Sequence, residues 1–251
     1  MPPLLGYASA MPSGVPTSTW LDSPLGRALL EREREAMAES LETVFGVECL
    51  QVGAWGPPDT FLQMARTQRR TLLAGPTERL GGLTAYPSRL PIQADSIDAL
   101  ILPHTLEHEA DPHAVLREAH RVLRAEGHVL ALGFEPLGPW AWRGRLSRCG
   151  FPPGIRRRMS RRRLTDWMQL LGFDVDPAVR FLYTLPFAAA QEGRLQRWSE
   201  ALGQAVWPRL SGAYLLVARK RVYSVTPLRL PHKARPALIG GLVEPTPRIR
   251  S

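Results

Sequence analysis

Apolar positions recur along this chain in two alternating rhythms. After Ser23 and Pro24, Leu30, Met37, Leu41 and Val44 repeat at helical spacing. Ser23 is a residue type that accepts from the free N–H groups of a helix start, and Pro24 suits the first helical position, where no N–H bond is lost. Gly46 is the predicted stop. The apolar run Val47–Gly53 then reads as a strand, Asp59 to about Arg70 as a helix, and Thr71–Ala74 as a second short strand. Ile97–Pro103 (IDALILP) is the continuous apolar run of a strand buried on both faces. Asp111 and Pro112 open a helix with Val115, Ala119, Val122 and Leu123 on one face; Gly127 ends it, and Val129–Phe134 is the next strand. Ser160–Leu171 follows as a helix stopped by Gly172. Phe173–Tyr183 is a strand, Arg194–Val206 a helix and Gly212–Arg219 the last strand. Strands alternate with helices, so the predicted fold class is α/β: a parallel sheet with helices on both faces.

The chain has 251 residues, enough for one substantial domain, and 44% hydrophobic with 22% charged residues is an ordinary globular balance. Residues 20–222 are expected to form that domain. The Pro-containing stretch 1–19 and the Pro/Arg-rich stretch 223–251 lack apolar periodicity and read as flexible tails. No run of 18 apolar residues is present to cross a membrane, and the first nineteen residues hold no Lys or Arg, unlike a secretory signal. Cys49 and Cys149 form no paired framework, which suits a reducing, cytoplasmic setting. Charge divides the chain: residues 1–140 carry a net −6 and residues 141–251 a net +15. Either an anionic partner for the second part or a general preference for arginine accounts for this, since 30 of the 32 basic residues are Arg.

In an open α/β sheet, ligands bind beyond the C-terminal ends of the strands. The turn after the first strand reads QVGAWGPPD from Gln51, with Gly53 and Gly56 free to bend tightly. A longer signature begins at Leu90: LPIQADSIDALILPHTLEHEADPHAVLREAHRVLRAEGHVLALGF. Leu90, Pro91 and Ile92, then Asp98, then His104, Leu106, Glu107 and His108, then Asp111, Pro112, Leu116, Arg117, Glu118, Arg121, Val122, Leu123 and Gly127 follow one another in an order that resembles class I methyltransferases of the type 11 family. RLTDWMQLLGFDV from Arg163 extends the likeness over roughly residues 20–222, and the sequence looks most like the YafS-like bacterial branch. The resemblance implies a Rossmann-like, mostly parallel seven-stranded sheet ending in a reversed hairpin, and S-adenosyl-L-methionine as cofactor. By it, the cofactor contacts are Gln51, Gly53, Ala54 and Gly56 of the turn, Tyr86 and Leu90 of the loop before Pro91, and Pro103, His104 and His108 after the fourth strand. It implies transfer of the sulfonium methyl group to a nucleophile by in-line displacement. That reaction needs positioning more than a protein nucleophile, so no catalytic residue is named. Gln51, Trp55 and Tyr86 stand where the family has an acid, a glycine and an acid. They leave open a second reading, a methyltransferase-like binding or scaffold module without turnover.

Two further motifs bear on function. His104-Thr-Leu-Glu107-His108 spells the H-x-x-E-H of inverted zinc peptidases, but it follows directly on a strand and is closed by Asp111-Pro112, so no metal site is expected. Nine arginines lie between Arg143 and Arg163, near Trp140, Trp142 and Phe151. They suit a small-molecule or anionic substrate, or a peripheral contact with an anionic lipid surface. The stacking platforms of the usual RNA-binding modules are not evident, which argues against a nucleic-acid partner.

Overall fold

A computed structural model describes residues 17–75, 83–138, 140–141, 152, 154–183 and 211–222. The helix expected at 194–206, the 223–251 stretch and Arg143, Arg145 and Arg148 lie outside these residues. The chain first forms a short helix, α1 (Thr17–Leu21), which begins inside the stretch read as an N-terminal tail. Helix α2 (Pro24–Leu41) starts as expected, with Ser23 Oγ accepting from the Gly26 N–H at 3.1 Å. It ends earlier than its apolar spacing suggested. Gly46 belongs to strand β1 (Phe45–Val52), because Asp98 packs against it and its carboxylate accepts the Val47 and Glu48 N–H groups at 2.8 and 2.9 Å.

The helix expected over residues 59–70 is not formed. A single 3₁₀ turn (Leu62–Met64) leads into β2 (Arg66–Ala74). Strand β1 pairs in parallel with β2 from Phe45↔Arg66 to Val52↔Leu73, and the β-branched Thr67 and Thr71 suit that ladder. After the two-residue β3 (Leu83–Thr84), β4 (Ile97–Pro103) lies where its apolar run placed it. One turn of helix, α3 (Thr105–His108), precedes α4 (Pro112–Val122), whose cap Asp111 accepts from the Ala114 N–H at 3.1 Å. Strand β5 runs Leu123–Phe134, so Gly127 lies within it. A side chain at Gly127 would press on the carbonyls of Ile97 and Asp98, beside the register shift between β4 and β5. Helix α5 (Arg161–Leu170) is capped by Ser160 and stopped by Gly172 at φ +90°. The expected strand over 173–183 is two pieces, β6 (Phe173–Val175) and β7 (Val179–Phe181), and β8 (Ala213–Lys220) is the last.

The eight strands form one sheet in the order β3-β2-β1-β4-β5-β8-β6, with β7 also paired to β8. The first five strands run parallel; β8 is antiparallel to β5, β6 and β7. This is the expected Rossmann-like architecture with one strand more than seven. Alternation along β4 and β5 splits the core in two. Ala99, Ile101, Leu130 and Leu132 face Leu29, Met37 and Leu41 of α2. Leu100, Leu102, Val129 and Ala131 face Val115, Leu116 and Ala119 of α4 and Leu164 and Met168 of α5. Strand order reverses between β1 and β4, which places the crevice for a ligand at their C-terminal ends.

Candidate functional site

The chain reaches that crevice through Gln51, whose side chain lies fully buried on the α2 face of β1. Its amide nitrogen donates to the Gly53 carbonyl at 3.1 Å, and its Oε1 is a buried acceptor with no donor among the described residues. Gly53 (φ +92°) turns the chain, held by its N–H on the Leu73 carbonyl at 2.9 Å. A Cβ there would lie 2.9 Å from Thr105 Oγ1, so the turn and the end of β4 touch at a point only glycine permits. Gly56 (φ +74°) closes the turn.

Between these glycines stands Trp55, 1% exposed. Its ring centroid is 4.3 Å from His104 and 6.3 Å from Phe134, and His104 stacks on Phe134 at 4.3 Å. The indole N–H donates to Glu33 Oε2 at 2.6 Å. His104 itself is fully buried and sits in the left-handed region at φ +55°. Such backbone strain costs about 1–3 kcal/mol and persists only where the surroundings over-determine it. Here both ring nitrogens are fixed: Nε2 to Glu33 Oε1 at 2.9 Å, and Nδ1 to Glu107 Oε2 at 2.7 Å. The Phe134 N–H donates to Glu107 Oε1 at 2.9 Å. Each of the four carboxylate oxygens therefore has one N–H donor, the arrangement of two carboxylates around an imidazolium.

Burial alone would keep His104 neutral; the Glu33 charge and the hydrogen bonds of both carboxylates outweigh it and raise its pKa to about 9. Burial pushes Glu107 upward, against the pull of His104. His108, half-buried at the end of α3, is lowered to about 4, first by burial and then by the charge of His104. The cluster is thus a buried unit of two carboxyl groups and one imidazole, walled by the faces of Trp55 and Phe134.

Of the residues selected from sequence, Gln51, Gly53, Ala54, Gly56, Pro103, His104 and His108 all lie on the turn after β1 and the end of β4, strands that pair directly. His104, named from sequence as a cofactor contact, is fully enclosed. With both its nitrogens on carboxylates and a one-turn α3, the H-x-x-E-H segment does not present two histidines as free ligands on a helix. Leu90 is buried and its N–H donates to Glu118 Oε1 at 2.8 Å, while Tyr86 is 63% exposed and bridges only to Arg89. Glu33 was missed. Its signal was present: with Leu29, Met37 and Leu41 it forms a stripe of spacing four, and an acid within a buried stripe requires a partner. The part played by Phe134 had no signal beyond its strand.

The family described as "Methyltransferase domain" matches residues 54–131, a span holding Trp55, Gly56, His104, Glu107 and His108. An uncharacterized protein of Escherichia coli, YafS, is 35% identical over 143 residues, which is 57% of this chain and 56% of that one. An uncharacterized Mycobacterium tuberculosis protein is 31% identical over 142 residues, 55% of this chain and 49% of its own. The chain thus matches about half the length of these relatives. A SAM-dependent methyltransferase from Archaeoglobus fulgidus superposes with a TM-score of 0.56 at 12% identity, covering 76% of this chain and 94% of that one. One from Thermotoga maritima gives 0.55 at 16%, covering 77% and 92%. Residues 54–131 are thus similar to the methyltransferase-domain family, and the chain has the Rossmann-like fold of these solved methyltransferase structures.

Proposed function

We propose that this protein binds S-adenosylmethionine at the C-terminal ends of β1 and β4 and transfers its methyl group to an acceptor. The observation that supports this most is the character of the crevice. At the switch point of the sheet lie an orphaned buried acceptor, Gln51 Oε1, and two buried carboxyl groups faced by aromatic rings. Both suit a cationic ligand: an ammonium group satisfies an acceptor without a donor, and aromatic faces beside carboxylates favour a sulfonium. The cofactor, when bound, supplies an activated methyl group on a cationic sulfur. The residues that would hold it are Gln51, the backbone of Gly53–Gly56, and the Trp55 and Phe134 faces. The chain's own contribution is orientation and exclusion of water, with Glu33 and Glu107 fixing His104 and thereby the end of β4. Trp55 is buried in the turn, so ligand entry moves the indole.

The test is calorimetric titration of the full chain with S-adenosylmethionine and S-adenosylhomocysteine, paired with tryptophan emission for the wild type and Trp55→Phe. Saturable binding at submillimolar ligand, with an emission change lost in Trp55→Phe, is expected. No heat at millimolar concentrations of either ligand would end the proposal while leaving the fold intact.

A further inference from the structure

Beside this crevice the chain assembles positive charge at a place where local physics opposes it. Six of the eight residues from Arg156 to Arg163 are arginine. Three of them, Arg161, Arg162 and Arg163, form the first turn of α5, which holds no acid. The N-terminus of a helix carries the positive end of its dipole, so cations there are unfavourable and anions favoured. Arg161 pairs with Glu135 at 3.2 Å. Arg156, Arg157, Arg162 and Arg163 are exposed.

The position is built. The N–H groups of Arg156 and Arg157 both donate to the Glu107 carbonyl at 3.2 Å, which fixes the start of the run to α3, the turn of helix that follows β4. Tyr214, buried in β8, donates its hydroxyl to the Met159 carbonyl at 2.9 Å and pins the middle. Glu135, just beyond β5, holds Arg161. Further on, the Arg163 guanidinium lies 4.7 Å from the Trp167 ring, which stacks at 3.4 Å on His113 in the first turn of α4. The run therefore crosses the C-terminal ends of β4 and β5, the side of the sheet on which the cofactor crevice opens. Its charge reaches the cluster: burial and His104 lower the pKa of His108 with Arg156 adding to them, and Arg158 works against the burial that raises Glu107.

We infer that Arg156–Arg163 is the site for a phosphate-bearing methyl acceptor, its anion lying on the exposed guanidinium groups and the α5 N-terminus. The inference rests on the methyl-transfer reading for the word acceptor, and on the charge and its placement for the word phosphate. Guanidinium forks match phosphate oxygens, and one phosphate group neutralises more of a multiply charged cluster than one carboxylate does. The phosphate can belong to a soluble metabolite or to a lipid headgroup.

The test uses the full chain without cofactor. Inorganic pyrophosphate is titrated at 50 and 200 mM salt, in parallel with vesicles of phosphatidylcholine containing phosphatidylglycerol and with a single-stranded RNA oligonucleotide. The variant is Arg157→Gln/Arg162→Gln. Pyrophosphate is expected to bind below millimolar concentration, to weaken steeply with salt, and to lose at least tenfold in affinity in the variant. The variant should keep its binding of S-adenosylmethionine, and its Tm should be unchanged or raised, because a cation has left the positive end of a helix. That gain separates a ligand site from a structural one. Vesicle binding without pyrophosphate binding, lost in the variant, assigns the phosphate to a lipid headgroup. No binding of either, or binding the variant does not weaken, overturns the inference. RNA binding tighter than both, equally lost in the variant, overturns it in favour of nucleic-acid recognition. Because cofactor is absent, failure of the methyl-transfer reading and failure of this site appear in different measurements.

Discussion

Replacing Glu33 by Gln removes one charge from the buried cluster with almost no change in shape. In the wild type, Glu33 accepts from His104 Nε2 at 2.9 Å and from Trp55 Nε1 at 2.6 Å, and both side chains of the ion pair are fully buried. A glutamine offers one oxygen and one NH₂, so one of those donors meets a donor instead. Breaking a buried pair by removing one partner costs about 3–5 kcal/mol. For a chain of this size each kcal/mol moves Tm by about 2–4 °C, so the expected fall is on the order of 10 °C. The pH dependence gives a second reading. His104 has its pKa raised from 6.5 to about 9, so its stabilising contribution is complete below pH 6.5 and is lost as pH rises through 9. A shift of that size corresponds to about 3 kcal/mol. Glu33 is the largest of the influences that raise this pKa, so Glu33→Gln should flatten the alkaline limb. Urea unfolding of wild type, Glu33→Gln, His104→Gln and the double variant at pH 7 and pH 10 measures both effects and the coupling between the two residues. A Glu33→Gln protein that loses under 1 kcal/mol at pH 7, or that keeps the wild-type alkaline slope, would refute the charged triad.

Three further outcomes follow from the same geometry. His108 is held neutral with its pKa near 4, so its contribution is present above pH 6.5 and fades as pH falls toward 4; His108→Gln should lose part of the acid limb of stability measured between pH 7 and 5. Gly53→Ala places a side chain at φ +92° against Thr105 and should cost about 1–2 kcal/mol by urea midpoint, with weaker cofactor binding. Tyr214→Phe strands the Met159 carbonyl and should cost about 1–2 kcal/mol in thermal unfolding.

Much of the scaffold was legible because its signals are local. Ser23-Pro24 and Asp111-Pro112 announce their helices through capping chemistry, and Ile97–Pro103 announces a buried strand by its unbroken apolar run. The segment 66–70 was misread as helix because its pattern is weak: an edge-side strand with exposed Arg66, Arg69 and Arg70 takes its form from β1, not from its own periodicity. Gly46 and Gly127 looked like stops, yet each serves a close approach to residues around Asp98, some 50 and 29 positions away, which no local rule reports. At the site, the sequence pointed to residues of the turn after β1 and of the segment after β4 but treated His104 and Trp55 singly. Their roles depend on Glu33, 71 residues before His104, and pairings at that range are fixed by tertiary packing.

The position of β8 bears on how the chain is made. Pairing runs the length of β5 from Phe134↔Ala213 to His128↔Arg219, and β6 and β7 reach the sheet only through β8. During synthesis, β5 leaves the ribosome about eighty residues before its neighbour. Its apolar edge, Val129–Phe134, waits unpaired for that interval, a row of free N–H and C=O groups open to any other strand. Chains shortened before Ala213 would keep that edge permanently and should collect as aggregates. Among the described residues, the last strand to be made is the one that closes the sheet against its own kind.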